Sequence, residues 1–440
     1  MRRVRQVREV RAVRQVRGGL PAPKHNGIQV RRRVLMVMAV LAFVPADAHA
    51  QTVIYRGFSE IRLTGYPQTT SRDPDRVALE GRVRFEPAYR PVDWLTFVSS
   101  FDARLDNLEQ VERSWRVDIR DRGLRRPSLS VRQAAATVRG HGITLDVGKQ
   151  FIRWGKADIL APTDRFAPRD FLEVTDGDFM GVTGMRVQFA RGVNAVDVVA
   201  VPFFTPSRIP LLNRRWAAVP ASAAAYTFVD RAPEFPTRAQ FGARWNVTAP
   251  GYELSVSYFD GFNHLPDIAT VPLSSQPAIA AVRSYVPLRM GGADAAVPLR
   301  WFTIKGEVAL LTTSSRTSDD VLQYVIQVER QSGELSLVGG YAGEVVTNRR
   351  ALFGFAPDRG LTRALLVRAA YTINAVRSVA VEAAVRQTGE GLWVKTEYSQ
   401  ASGAHWRTTI TGTIVGGSST DFFGQYRRNS HALATLRYSF

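Results

Sequence analysis

The chain has 440 residues, 58 Lys+Arg against 39 Asp+Glu, and no cysteine. The missing cysteines exclude a disulfide framework, a thiol nucleophile and a thiolate-bound metal, while the formal net charge of +19 fits either a basic cytosolic protein or a protein of the cell envelope.

The first element decides between these. Residues 31–50 read RRRVLMVMAVLAFVPADAHA: a tri-arginine start, an apolar core over 34–44, Pro45, and Ala48-His49-Ala50 as an A-x-A cleavage site before Gln51. This is the pattern of a secretory signal peptide cleaved after Ala50, and its apolar run is about half of the roughly 20 residues a spanning helix needs. Upstream, arginine recurs at every third position of MRRVRQVREVRAVRQVR, a period that suits neither a helix face nor a strand face. Residues 1–30 are therefore expected to be a mis-assigned or disordered basic extension, with translation starting near Val30; a twin-arginine or basic tail is the alternative. Detection of a peptide from 1–29 in cells would overturn the start-site expectation. Without residues 1–50 the chain keeps 47 basic and 37 acidic side chains, a net +10. That excess calls for no nucleic-acid partner; a surface against anionic lipid headgroups and lipopolysaccharide, or a pore that favours anions, accounts for it.

From residue 51 onward no apolar run reaches helix-spanning length, and period-two alternation dominates. In 77–87, Val77, Leu79, Val83 and Phe85 share one face and Glu80, Arg82, Arg84 and Glu86 the other. In 301–311, Phe302, Ile304, Val308 and Leu310 oppose Thr303, Lys305 and Glu307. In 391–400, Leu392, Val394 and Tyr398 oppose Lys395, Glu397 and Ser399, and in 405–415, Trp406, Ile410 and Ile414 oppose Arg407, Thr409, Thr411 and Thr413. Some 18 such segments recur, each near the ~10 residues a tilted strand needs to cross a bilayer. Strands in lipid must satisfy their backbone in a closed sheet, so residues 51–440 are expected to form an all-β, closed antiparallel transmembrane β-barrel of about 18 strands (16–18). The connections alternate in length, short at 90–93, 140–142, 191–193, 249–251, 331–333 and 402–404, long at 107–128, 154–180, 205–237, 263–281, 346–361 and 417–429. Short periplasmic turns and long extracellular loops give this asymmetry. Trp94, Tyr89, Tyr258, Trp301 and Tyr438 are candidates for an interfacial aromatic girdle.

The final segment HALATLRYSF places Ala432, Ala434, Leu436, Tyr438 and Phe440 on one face and ends on an aromatic ring. It resembles the C-terminal strand signature of bacterial outer-membrane β-barrels; that resemblance implies that Leu436, Tyr438 and Phe440 form an assembly signal for the barrel assembly machinery. The arrangement GKQ, then WG-x6-PTD, then PRD over 148–170 resembles a strand-and-loop motif in poorly characterised porin-like families of Gram-negative outer membranes. In general porins the third external loop folds into the lumen, and 154–180 follows the fifth strand; the resemblance therefore implies a pore constriction formed by Arg153, Lys156, Asp158, Asp164, Arg165, Arg169 and Asp170, stiffened by Pro162 and Pro168. Opposed charges across a narrow water path sort solutes by charge.

Alternation assigns to the lumen wall Arg56, Arg62, Arg82, Arg84, Arg104, Arg186, Arg244, Lys305, Arg368, Arg386, Lys395 and Arg407, against Glu60, Glu80, Glu86, Asp102, Asp146, Glu307, Glu382 and Glu397. Twelve cations to eight anions predict a mild anion preference and passage of small polar solutes. No catalytic constellation is found: His141 and His405 fall in turns, His264 in a loop and His431 at the start of the last strand, without a serine and carboxylate at usable spacing. No cofactor or metal is expected; Asp176 and Asp178 could supply oxygen ligands but are too few for Ca²⁺. The loop 205–237, with Arg208, Arg214, Arg215, Trp216 and the apolar run 221–229, is either an ordinary external loop with a short helix or one that lies across the mouth, touches lipid A or inserts into the lumen as a partial plug. No plug domain or TonB-box-like segment is read, against an energised transporter. A plugged or ligand-binding barrel and a soluble periplasmic β-sandwich are the competing readings, and a homo-oligomer is left open.

Overall fold

The computed structural model describes residues 53–440 except 71, 159, 220–222, 224, 274–276, 317, 351–360 and 388–389; the expected extension and signal peptide lie outside the described residues. Eighteen long strands follow one another: β1 (Val53–Gly65), β2 (Val77–Val92), β3 (Leu95–Asp106), β4 (Leu129–Gly140), β5 (Ile143–Gln150), β6 (Val182–Arg191), β7 (Asn194–Val201), β8 (Gln240–Ala249) and β9 (Tyr252–Phe262) form the first half. The second half is β10 (Pro287–Pro298), β11 (Thr303–Thr312), β12 (Asp320–Ser332), β13 (Leu335–Asn348), β14 (Ala364–Asn374), β15 (Arg377–Arg386), β16 (Gly391–Ser402), β17 (Trp406–Gly417) and β18 (His431–Ser439). Each pairs antiparallel with the next, and β18 returns to pair with β1 over Phe58↔Ser439 to Gly65↔Ala432. Closure leaves no free edge, which is what a sheet without water on its outer face requires. Past the end of β18, Gly57 N–H donates to the Phe440 carbonyl (2.9 Å) and Phe440 N–H to the Gly57 carbonyl (3.0 Å). The Phe440 ring lies over Gly57, where a Cβ would come within 2.6 Å of it.

One end of the barrel carries tight turns. At His141–Gly142 both residues have positive φ (50° and 77°), the backbone of a type I′ hairpin turn, so a glycine here matches the twist of β4 and β5. The other end carries the long loops, among them loop 3 (151–181) and loop 4 (202–239). Outside the wall, Thr227–Asp230, Ala278–Ser284 and Asp267–Leu273 make a small three-stranded sheet from the apolar part of loop 4 and the loop after β9.

Burial across the wall is inverted relative to a water-soluble protein. On the outer face Ile326, Val367, Leu365 and Ile414 are 56%, 52%, 57% and 60% exposed, whereas on the inner face Glu60, Asp102, Asp294 and Glu307 are 4%, 2%, 2% and 3% exposed. Leaving one such apolar side chain in water forfeits about 1.5–3 kcal/mol, so an apolar belt around the whole barrel is stable only against an apolar phase. Trp94, Trp301, Trp406, Tyr89, Tyr252 and Tyr371 stand exposed toward the tight-turn end, and Tyr438 packs on Trp406 (5.1 Å between centroids). These aromatics suit a girdle at the headgroup level. Tyr258 instead stands on the outer face in the middle of β9.

Candidate functional site: a lumen crossed by loop 3

Loop 3 begins with Ile152 and Trp154, which the sequence supplies with a matching aromatic twelve residues on. The Phe166 ring meets Trp154 edge-on (5.1 Å) and Phe259 of β9 edge-on (4.9 Å), and the Trp154 indole N–H donates to Asp197 of β7 (3.0 Å). Together with Val199, Val201, Met290 and Leu311 these rings form an apolar core inside the barrel wall. Gly242 of β8 makes room for it: a Cβ there would lie 2.7 Å from both the Trp154 and the Phe166 rings. The hairpin from Arg153 to Asp164 is knotted by one carboxylate, since Asp164 accepts the Trp154 and Gly155 N–H groups (2.7 Å for Gly155) and the Arg153 guanidinium (3.2 Å).

The same side is pinned to the charged wall. Glu307 of β11 accepts the Lys156 N–H, the Ala157 N–H (2.5 Å) and the Thr163 hydroxyl (3.0 Å). The Lys156 ammonium lies 2.8 Å from Glu253 and 3.5 Å from Asp294, and Asp294 also holds Arg244 (2.9 Å). Asp158 meets Lys305 (3.2 Å) and Gln327. Burial opposes the charge of Asp158, but hydrogen bonds with Glu329, Gln327 and Lys305 outweigh it and hold the carboxyl at about 2.

The second half of the loop crosses to the opposite wall. Asp176 accepts from Arg62 of β1 (2.6 Å), and Asp178 lies 3.4 to 3.7 Å from Arg132, Arg82 and Arg104. Burial works against Asp176, yet Arg62 and then Lys395 hold it at about 2. Beneath these contacts the wall is an arginine ladder neutralised in place. Glu60 takes Arg82 (2.9 Å) and Arg437 (2.7 Å), Asp102 takes Arg84 (2.7 Å) and Arg104 (2.9 Å), and the Phe58 ring is faced by Arg82, Arg84 and Arg437 at 5.1, 5.3 and 4.3 Å. Such cation–π and bidentate contacts keep guanidinium planes fixed and forward-facing.

The residues singled out from the sequence thus separate. Lys156 and Asp158 bind the β9–β12 wall, Arg153 stacks on Phe179 (4.2 Å), and Arg165 and Arg169 line a cavity beside the loop, Arg169 also stacking on Phe179 (4.1 Å). Asp164 is spent on the hairpin. Asp170 is buried between Arg126 (2.9 Å) and Arg208 (3.3 Å); burial opposes its charge, and the two guanidiniums outweigh that and hold its carboxyl well below the usual range. Asp176 and Asp178, weighed as cation ligands, are occupied by arginines. Arg368, Arg386, Lys395 and Arg407 face the lumen from β14–β17, Arg386 reaching Asp421 (3.3 Å) and Arg407 the Ser399 hydroxyl (3.2 Å). Sequence reasoning passed over Arg437, Arg132, Asp294 and Glu329. Arg437 was legible, since it alternates with the apolar face of the last strand. Loop 4 does lie across the mouth: Arg215 stacks on Tyr66 (3.6 Å), its chain bonds Asn429 (3.0 Å), and Trp216 packs on Tyr426.

Between loop 3 and β15–β16 remains a cavity of about 310 Å³, bordered by Asp158, Leu160 and Asp176 from the loop and Glu382, Trp393 and Lys395 from the wall. No protein-family model and no curated protein matches the chain. Solved structures with a similar chain path include a triple mutant of Rh. blastica porin, at 11% identity over 88% of this chain and 100% of that one with a TM-score of 0.43. Another is OmpT, an outer membrane protein of Vibrio cholerae folded in vitro, at 10% identity over 90% and 99% with a TM-score of 0.41. The likeness is loose and concerns the fold alone; what the lumen does rests on this chain's own residues.

Proposed function

We propose that the protein is an outer-membrane porin-like channel for passive diffusion of small polar solutes, exported by the 31–50 signal peptide with cleavage after Ala50. The observation that carries this reading is the inverted burial: an apolar outer belt around a charge-lined lumen whose bore is reduced by an inward loop. Barrels of 16–18 strands leave an aqueous lumen, and loop 3 acts as its constriction. A mild anion preference is supported by the charges left over once the ladder is neutralised. Arg368, Lys395 and Arg407 face Glu382 and Glu397 on β14–β17, and Arg368 and Arg407 are exposed. Single-channel recording of the detergent-purified protein under a salt gradient tests both parts. Ohmic steps with a small anion-favouring reversal potential are expected, and clear cation selectivity would overturn the preference.

A second reading, a plugged or ligand-binding barrel, is favoured by one feature. Near the long-loop end, Val325, Ala342, Leu366, Ala384, Trp393 and Val415 make the inner wall apolar, and loop 4 packs over it. A folded, heat-modifiable protein that never conducts would support that reading.

A further inference from the structure

Two hydrogen-bond donors on the cavity between loop 3 and β15–β16 are unused by the fold. The Trp393 indole N–H and the Tyr426 hydroxyl are buried, at 8% and 2% exposure, and neither has a hydrogen-bond partner among the described residues. The contrast with Trp154 is direct, because that indole, in the same lumen, is satisfied by Asp197 at 3.0 Å. Burial pushes the Tyr426 phenol up, so it keeps its proton to donate. Lys395, two residues beyond Trp393 on the same inner face of β16, borders the same cavity and is half-buried; it faces Asp176 across the cavity but forms no ion pair within 4 Å among the described residues. The nearby carboxylates are already committed, Asp158 to Lys305 and Asp176 to Arg62. Leu160, Phe171 and Phe423 add apolar surface to a border that also carries Arg165, Arg169 and His264 on its loop side. Buried donors without acceptors are costly and rare, and a cavity that offers two of them beside the Lys395 ammonium, the Glu382 acid and a patch of apolar surface selects its occupant.

We propose that this cavity is a binding site for a small amphipathic anion: an aromatic or cyclic apolar body that carries a carboxylate-type oxygen group. Trp393 and Tyr426 donate to the oxygens, Lys395 supplies the countercharge, and Leu160, Phe171 and Phe423 enclose the body. Inorganic anions lack the apolar part and leave that surface uncovered. Cations of the same shape meet the Trp393 and Tyr426 donors and the Lys395, Arg165 and Arg169 charges. The inference deepens the channel reading by placing the site on the solute path, but binding itself needs no open pore.

Equilibrium dialysis of the detergent-solubilised full chain against benzoate tests it, with acetate, benzylamine and protein-free detergent as references. Saturable benzoate binding at millimolar or tighter concentration is expected, with acetate and benzylamine at least about tenfold weaker. W393F, Y426F and K395Q should each weaken benzoate about tenfold while the barrel keeps its heat-modifiable migration. Benzoate binding no better than acetate, or unchanged in all three folded variants, overturns the proposal. Conductance separates it from the channel reading: a protein that binds benzoate and never conducts loses the channel and keeps the site, and one that conducts and ignores benzoate keeps the channel and loses the site.

Discussion

Removing the Glu307 carboxylate by Glu307→Ala should release the first half of loop 3. That carboxylate takes the Lys156 N–H, the Ala157 N–H at 2.5 Å and the Thr163 hydroxyl at 3.0 Å, three bonds from residues about 150 positions away. A hydrogen bond to a charged acceptor contributes about 1.5–3 kcal/mol, so the gross anchorage of three is roughly 4.5–9 kcal/mol. Part of it offsets the burial of a charge that is 3% exposed, and the Trp154 and Phe166 packing survives the substitution. A net loss of about 3 kcal/mol is a reasonable working value, which raises the population of detached loop roughly a hundredfold. Two independent assays read it. Trypsin should cut after Lys156 or Arg153 many times faster than in the parent, and single channels should show larger or noisier current levels. A folded Glu307→Ala barrel with parental trypsin resistance and parental conductance would refute the idea that this carboxylate anchors the loop.

Three further outcomes follow from the same geometry. Gly242→Leu drives a side chain into space that Trp154 and Phe166 fill to within 2.7 Å of its Cβ, and should loosen loop 3 in the same trypsin assay without opening the wall. His264 is held at about 4, because burial outweighs the two carbonyls it faces, Thr205 at 2.6 Å and Arg165 at 3.0 Å. A histidine depressed below its free value near 6.5 costs stability as pH falls from there toward 4, by about 3 kcal/mol. The urea midpoint should fall over that window and His264→Gln should flatten the change. Asp158 and Asp176, at about 2, contribute fully above pH 4 and are lost only as pH drops toward 2, so they leave this window to the histidine. Deletion of Phe440 removes both backbone bonds to Gly57 at the seam, and should lower the yield of heat-modifiable barrel severalfold; undiminished assembly would show that the terminal ring does not matter.

The wall was legible because each strand residue answers to its two faces alone. Val77, Leu79 and Val83 meet lipid while Glu80, Arg82 and Arg84 meet the lumen, and that alternation is written locally. Glycine and proline punctuation located the turns for the same reason. What the charges do inside was not local. Asp170 reads as a pore charge in the sequence, but its partners Arg126 and Arg208 lie 44 positions before and 38 after it, and they bury it. Glu60 and Arg437 are 377 positions apart and meet only because the barrel closes. Trp393 breaks the apolar parity of its strand, since Leu392 and Val394 face outward and it faces in. Nothing in the strand itself says whether such a ring fills space or awaits a ligand.

Loop 3 takes its ion pairs and carboxylate hydrogen bonds from β1–β4 and from β7–β12, while the inner faces of β14–β17 meet it through apolar packing, Ala157 and Leu160 lying in one cluster with Leu366, Ala384, Trp393 and Val415. Arg368, Glu382 and Glu397 there have no ion-pair partner among the described residues. The barrel is therefore divided into an arc whose charges are committed to architecture and an arc where Arg368, Glu382 and Glu397 are not. The second arc is also continuous in the chain, from Ala364 to Gly417. Mutational drift or laboratory exchange of those three charges can rewrite which solutes are favoured, while the apolar residues that pack on loop 3 and the arginine ladder are inherited unchanged.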